Sequence, residues 1–207
     1  SALFAQRGPQ DSWYLDKEVP LPAMPGLISP HGLDFAPNGD AYVVGYGNDR
    51  VSVWDANGNF LRGWGKLGTG NGQFNNPQGI AVTTDEVFVT DDTNSRVQVF
   101  DLQGNFLRKW GSSGTSDGQM KRPFGVTVDV VDANLTEVYV TEYENHRIQV
   151  FDANGTFRRK FGSGKLDNPA AAKIGSDGLV YVSSSDHKKI KIFQKDGTYL
   201  REFGTLG

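Results

Sequence analysis

The chain has no cysteine. Disulfides and thiolate metal sites are therefore excluded, and the redox compartment stays open. Long apolar runs are also missing: none approaches the ~18 residues of a membrane-spanning helix. Neither charge sign dominates, with 21 Lys+Arg against 24 Asp+Glu and a net charge of -3. Together with an isoelectric point near 5.6, this gives no electrostatic reason to expect nucleic acid. The opening Ser1-Ala2-Leu3-Phe4 has neither a basic start nor a long apolar stretch. It does not read as an intact signal peptide. With no initiator methionine, a processed product or an excised piece is the expectation.

What the chain does have is glycine, 26 of 207 residues, and a repeat. Residues 50–65 read RVSVWDANGNFLRGWG, 96–111 RVQVFDLQGNFLRKWG, 147–162 RIQVFDANGTFRRKFG and 189–204 KIKIFQKDGTYLREFG. A proline opens each unit: Pro30, Pro77, Pro123 and Pro169, spaced 47, 46 and 46. A period of this length marks a solenoid, a propeller or an array.

The second unit shows the content of one repeat. Gly79-Ile80-Ala81-Val82 is a short apolar run, and Val87-Phe88-Val89-Thr90 is β-branched and aromatic. Arg96-Val97-Gln98-Val99-Phe100 alternates, and Phe106-Leu107-Arg108-Lys109-Trp110 is a more polar fourth run. Turn residues separate them. Four short strands with tight turns make an antiparallel meander. One such sheet cannot bury both faces, so neighbours must stack, and radial stacking makes a β-propeller. The expected fold is all-β, with four complete four-stranded blades at 30–76, 77–122, 123–168 and 169–207. We name the strands of a blade a to d, from axis to rim. The face carrying the d–a and b–c loops is the top, and the face carrying the a–b and c–d turns is the bottom.

The stretches Asn94-Ser-Arg-Val-Gln-Val-Phe-Asp101 and Asn145-His-Arg-Ile-Gln-Val-Phe-Asp152 resemble the NHL repeat. So does the linker Gly114-Thr-Ser-Asp-Gly-Gln-Met-Lys-Arg-Pro-Phe-Gly-Val126. The resemblance covers roughly residues 30–204. It implies a propeller, commonly six-bladed in that family. It also implies a recognition platform for protein or RNA, or in a minority of relatives an enzyme. The chain departs from the family in blade number.

Residues 1–29 need their own explanation. Trp13 precedes Pro30 by 17 residues, as Phe60 precedes Pro77 and Phe106 precedes Pro123. The spacing predicts an orphan outer strand over 12–18, in the register of a strand d, followed by a d–a loop over 20–29. Two arrangements then compete. In the leading one the four blades form an open arc of a larger propeller, with exposed end faces. In the other they close tightly and the orphan strand covers an outer edge.

Candidate site residues follow from the repeat. The residues after each opening proline, His31, Gln78, Phe124 and Ala170, belong near the axis on the top face. Pro30-His31-Gly32-Leu33 resembles the start of a metal-bearing blade in the NHL-like peptidyl-α-hydroxyglycine lyases, which place histidines from several blades around one zinc. Zinc needs three or four converging ligands. Only His31 qualifies here, so it is the one metal candidate; no cofactor and no catalytic set is expected. His146 and His187 fall in top loops of neighbouring blades.

Arg50, Arg96, Arg147 and Lys189 share one position, and Asp91 and Glu142 match at the end of strand b. That pattern reads as cross-strand ion pairs, or alternatively as a ring of cations on the top face. Trp64, Trp110, Phe161 and Phe203 end each strand d and read as packing under the d–a loop. The bottom turns gather acids, so polyanions are directed to the top or rim. Two sequons, at Asn134 and Asn154, lie in bottom turns of the third blade. The first falls in an enlarged a–b turn over 130–137.

The leading function is a non-enzymatic binding or assembly module presenting loop surfaces to protein. Its expected contact surface is Tyr46, Asn48, Arg50, Asp92, Asn94, Arg96, Lys121, Arg122, Tyr143, Asn145, His146, Arg147, His187 and Lys188. Expected partners are another protein, further blades, or a second subunit in a homo-oligomer or larger assembly. The alternatives are a lyase- or lactonase-type propeller enzyme with a metal near the axis, and an RNA-binding NHL domain. The sequons suit an extracellular setting.

Overall fold

A computed structural model describes the backbone of residues 2–7 and 13–19 and, in full, residues 26–132 and 135–204. Four four-stranded antiparallel sheets follow one another along the chain. Blade 1 comprises β3 (Pro30–Phe35), β4 (Ala41–Gly45), β5 (Arg50–Trp54) and β6 (Phe60–Trp64). Blade 2 comprises β7 (Pro77–Val82), β8 (Glu86–Asp91), β9 (Arg96–Asp101) and β10 (Phe106–Trp110). Blade 3 comprises β11 (Pro123–Asp132), β12 (Leu135–Glu142), β13 (Arg147–Asp152) and β14 (Phe157–Phe161). Blade 4 comprises β15 (Pro169–Ile174), β16 (Val180–Ser184), β17 (Lys189–Phe193) and β18 (Tyr199–Phe203). Each strand a begins at its proline, where the missing N–H removes no ladder bond.

Two expectations change. The segment predicted as an orphan strand is indeed a strand, β2 (Trp13–Val19), but it is not alone. It pairs antiparallel with β1 (Ala2–Arg7) in a two-stranded sheet. The first run was passed over because it carries no repeat motif. The insertion in blade 3 is also not an enlarged turn. It lengthens both strands, with Val130 opposite Thr136 and Asp132 opposite Leu135. The alternation Val-Asp-Val continues the ladder past the usual turn position. Asn134 lies outside the described residues.

The blades stack through three hydrophobic clusters. Tyr42, Val44, Val51 and Val53 of blade 1 meet Ile80, Val87, Val89 and Phe100 of blade 2. Phe88, Val97 and Val99 meet Val126, Val138, Val140 and Phe151 across the next junction. Tyr139, Ile148, Val150 and Phe161 meet Ala172, Val180, Val182 and Phe193 across the third. Among the described residues no such cluster joins blade 4 to blade 1. Leu33 and Phe35 on β3 are 52% and 58% exposed, and Phe203 is 54% exposed.

A shared turn grip reinforces each junction. Arg62 Nε donates to the Leu102 carbonyl at 3.0 Å, Arg108 Nε to Ala153 at 2.8 Å and Arg159 Nε to Lys195 at 2.8 Å. Each acceptor lies in the c–d turn of the following blade. The aromatic that ends strand d lies against the glycine of that turn. A Cβ on Gly104, Gly155 or Gly197 would stand 2.5, 2.5 or 2.6 Å from Trp64, Trp110 or Phe161. The strand-d aromatics therefore pack on the next blade, a more specific arrangement than packing under a loop.

The candidate site at the mouth of the axis

Strand a carries a register shift just after its proline in every blade: between Pro30 and Leu33, Pro77 and Ile80, Pro123 and Val126, and Pro169 and Ala172. In blades 2 and 3 a strand-b threonine stabilises the irregularity. Thr90 Oγ1 accepts from the Gly79 N–H, and Thr141 Oγ1 from the Gly125 N–H, each at 2.7 Å. The shift brings His31, Gln78, Phe124 and Ala170 to one cavity of about 260 Å³. The sequence placed these four together correctly.

His31 is exposed and Gln78 is buried. The His31 Nδ1 and Gln78 Oε1 atoms are 2.5 Å apart. Gln78 Nε2 donates to Asp92 Oδ2 at 3.2 Å, and Arg122 Nη2 donates to the same oxygen at 3.2 Å. Arg122 sits at a φ of 49°, in the left-handed region, immediately before its proline. Rings line the same mouth. Tyr46 stacks on His31 at 4.8 Å, His31 lies 6.4 Å from Phe124, and Phe124 lies 5.6 Å from Tyr143. The Arg122 guanidinium stands 5.2 Å from the Tyr143 ring centre. The result is an aromatic arc across blades 1 and 3 with a buried polar chain crossing blade 2. Gln78 and Phe124, dismissed as zinc ligands, are the residues that tie the arc together.

Around His31 the neighbours are the Gln78 amide and the Tyr46 and Phe124 rings. Among the described residues no group of three or more His, Asp or Glu is placed to hold a metal. His146 and His187 flank one carboxylate that the sequence reading missed. Asp167 Oδ1 is 3.0 Å from His146 Nδ1, and Asp167 Oδ2 is 3.9 Å from His187 Nε2. Asp167 lies two residues before Pro169, in the position held by Asn75 and Lys121 in earlier units. Ser184 Oγ is 3.1 Å from His187 Nδ1. That hydroxyl is buried and already bonded to the Asp167 backbone, accepting from its N–H at 2.8 Å and donating to its carbonyl at 3.0 Å. The hydroxyl hydrogen thus serves the Asp167 carbonyl.

In blades 2 and 3 the shared cation forms the expected cross-strand ion pair, buried, and not a free cation of a ring. Arg96 Nε donates to Asp91 Oδ2 at 2.7 Å, and its other nitrogens reach the carbonyls of Thr69, Gly70 and Gln73. Arg147 Nε donates to Glu142 Oε1 at 2.6 Å and its other nitrogens to Thr115 and Gln119. Asn94 and Asn145 add bonds to Gly68 and Gly114. Acid, asparagine and arginine thus clamp the loop that leads into blade 2 and the loop that leads into blade 3. Burial pushes the Asp91 carboxyl above its ordinary range, and bonds from Asn75, Asn94 and Arg96 pull it back in part.

Arg96, Arg147 and Asp92 are buried, so they are corrected from contact residues to structural ones. Asn94 and Asn145 are half-buried and engaged in the clamp. Blade 1 has Gly45 where Asp91 and Glu142 stand, and Arg50 Nε is buried with no hydrogen-bond partner among the described residues. Asn48 bonds the Gly26 carbonyl at 2.9 Å. Of the predicted contact residues, Lys121, His187 and Lys188 are exposed, and Tyr46, Arg122, Tyr143 and His146 are half-buried along the mouth and its rim. Asn154 is exposed in a bottom turn, where its N–H bonds the Asp152 carboxylate.

The first three strands of blade 2, with their buried Asp91–Arg96 pair, are the segment that sequence comparison picks out. Residues 74–100 carry an NHL repeat. No protein of curated function matches the chain in sequence. Solved structures share the fold. A catalytically inactive virginiamycin B lyase from Staphylococcus aureus, with quinupristin, is similar at a TM-score of 0.66 and 17% identity, over 89% of this chain and 58% of that one. A streptogramin B lyase gives 0.66 and 16%, over 88% and 57%. A functionally unknown protein from Desulfotomaculum acetoxidans DSM 771 gives 0.63 and 16%, over 93% and 61%. The chain thus spans less than two thirds of the length of each. At this identity the likeness is one of fold, a β-propeller.

Proposed function

We propose that the chain is a non-enzymatic binding module whose contact surface is the axial mouth and the loops beside it. The carrying observation is the arc Tyr46, His31, Phe124 and Tyr143, ending on Arg122. Aromatic rings and arginine on a rigid frame are the residue types that dominate protein interfaces. Asp92, Gln78 and the prolines hold them in place, so little ordering entropy is lost on binding. The exposed charges beside the mouth are of both signs, Lys121 and Lys188 with Glu144 and Asp186, which suits a partner segment with an apolar side chain and mixed charged flanks.

A lyase reading is suggested by the names of similar structures. It would need acid, base or metal-binding side chains converging on His31; its contacts are the Gln78 amide and the Tyr46 and Phe124 rings, and the cavity lining adds one ionisable group, Lys173. An RNA reading is disfavoured by the net charge of -3 and by the burial of Arg96 and Arg147.

Selection of displayed peptides on the immobilised protein tests the proposal. Peptides that bind and lose at least about tenfold in affinity to the Phe124→Ala and Tyr143→Ala variants support it. Failure to select any peptide, or peptides indifferent to both variants, overturns it. Binding of single-stranded RNA that weakens steeply with salt would favour the RNA reading instead.

A further inference from the structure

The grip that joins each blade to the next is built a fourth time, on blade 4. Arg62, Arg108 and Arg159 hold a turn carbonyl of the following blade, and Trp64, Trp110 and Phe161 cover its glycine. Blade 4 repeats the pair at the same spacing as Arg201 and Phe203. Both are exposed. Blade 4 thus presents Phe203 beside the apolar Ile190, its ladder partner, an exposed apolar face of the kind that marks an interaction site.

The opposite end of the stack offers the matching surface. Ile80, Val126 and Ala172, three residues after their prolines, are buried against the preceding blade. Leu33 is their counterpart in blade 1 and is 52% exposed, with Phe35 beyond it at 58%. The turn that a grip would take is also present. Residues 55–58 read Asp-Ala-Asn-Gly, identical to residues 152–155, the turn that Arg108 and Trp110 hold inside the chain.

We propose that the chain associates head to tail with a second copy of itself, blade 4 of one copy gripping the 55–58 turn of the next. This goes beyond the recognition role of the axial mouth: Leu33 and Ala171 also border that cavity, but Phe203 and the 55–58 turn lie outside it. The contact is heterologous, so it builds open chains or rings and not a two-fold dimer.

One position sets its strength. Two residues after the proline, Gly32, Gly79 and Gly125 each lie where a Cβ would stand 2.6 Å from a backbone oxygen of the next blade. Blade 4 has Ala171 there, and it is exposed. Its methyl group holds the incoming strand a away from the axis. The junction between copies is therefore looser than those within the chain.

Sedimentation velocity over a range of concentrations tests the proposal. The unaltered chain should show reversible self-association. Phe203→Asp and Leu33→Asp should each abolish it, and an equimolar mixture of the two variants should form a 1:1 dimer. In the mixture one copy keeps an intact blade 4 and the other an intact blade 1. A folding defect in either variant would not restore a dimer on mixing. Ala171→Gly should tighten association at least about fivefold, the effect of relieving one overpacked methyl. A chain that stays monomeric throughout overturns the proposal, as does self-association that both Asp variants retain. Loss of peptide binding by Phe124→Ala leaves association unchanged, so the two proposals fail separately.

Discussion

The inner blades and the outer blades use the same repeat positions differently. In blades 2 and 3 the end of strand b is Asp91 or Glu142, and strand c opens with Arg96 or Arg147. Acid and guanidinium are both buried, and each arginine holds the loop leading into its own blade. In blade 4 the acid is replaced by Ser184 and the arginine by Lys189. Lys189 and its neighbour Lys191 turn to Glu202 on strand d instead. In blade 1 the acid is Gly45. The difference teaches that the repeat is a fastening device. A buried carboxylate is tolerated only where an arginine and several N–H groups answer it, and the two central blades provide that.

The largest expected effect tests the fastening. Arg147→Ala leaves Glu142 buried without its cation and should cost about 3–5 kcal/mol, read by urea unfolding. Lys189→Ala in the outer blade should cost no more than about 1 kcal/mol. Equal losses in the two variants would break the comparison.

Next comes the turn grip. Trp110→Ala removes the ring against Gly155 and should cost about 3–5 kcal/mol. Phe203→Ala, at the exposed equivalent, should stay within about 0.5 kcal/mol for a dilute monomer. A loss at Phe203 as large as that at Trp110 under those conditions would break the comparison between covered and uncovered repeats.

Close approach near the axis gives a smaller effect. Gly125→Ala sets a methyl 2.6 Å from the Ala170 carbonyl oxygen and should destabilise by about 1–3 kcal/mol. Ala171→Gly removes a methyl that meets open space in the isolated chain. It should lose at most about 1 kcal/mol, the entropy of the extra glycine freedom.

The smallest effect is in acid. Lys189 and then Lys191 pull the Glu202 carboxyl from 4.5 down to about 2. Because the folded value is depressed, its stabilisation is present above the unfolded value and is lost as pH falls from about 4.5 through about 2. The group is solvent-screened, so the contribution is slight. Glu202→Gln should flatten the acid limb of the stability curve in that window. The Arg159 hydrogen bonds likewise depress the Glu137 carboxyl, so part of the limb should persist in that variant. An unchanged limb would remove blade 4 from the acid response.

Much of this was legible in the repeat. The opening prolines, the alternating strand-c residues and the Asp-x-x-Gly turns predicted the four four-stranded sheets and their strand order, because these are local preferences of turn and ladder. The acid and cation at facing ends of strands b and c predicted their ion pair, since a two-residue periodicity sets which residues stand opposite. The mouth of the axis was half legible. Repeat position brought His31, Gln78, Phe124 and Ala170 together, but the search for metal ligands passed over the amide and the ring that bind them into one surface. The link from Gln78 through Asp92 to Arg122 joins residues 14 and 30 apart in sequence, and no local pattern announces it. Asp167 was missed for the same reason. It meets His146 from the neighbouring blade's leading loop.

Strand order, blade number and the composition of each turn followed from the sequence, because hydrogen-bond periodicity and turn chemistry act over a few residues. Which cations are buried, which are free, and which faces lack a neighbour was decided only by the tertiary structure. A repeated residue meets the same partner only if a next blade stands beside it. Trp110 and Phe203 occupy the same place in the repeat; one is covered and the other is not.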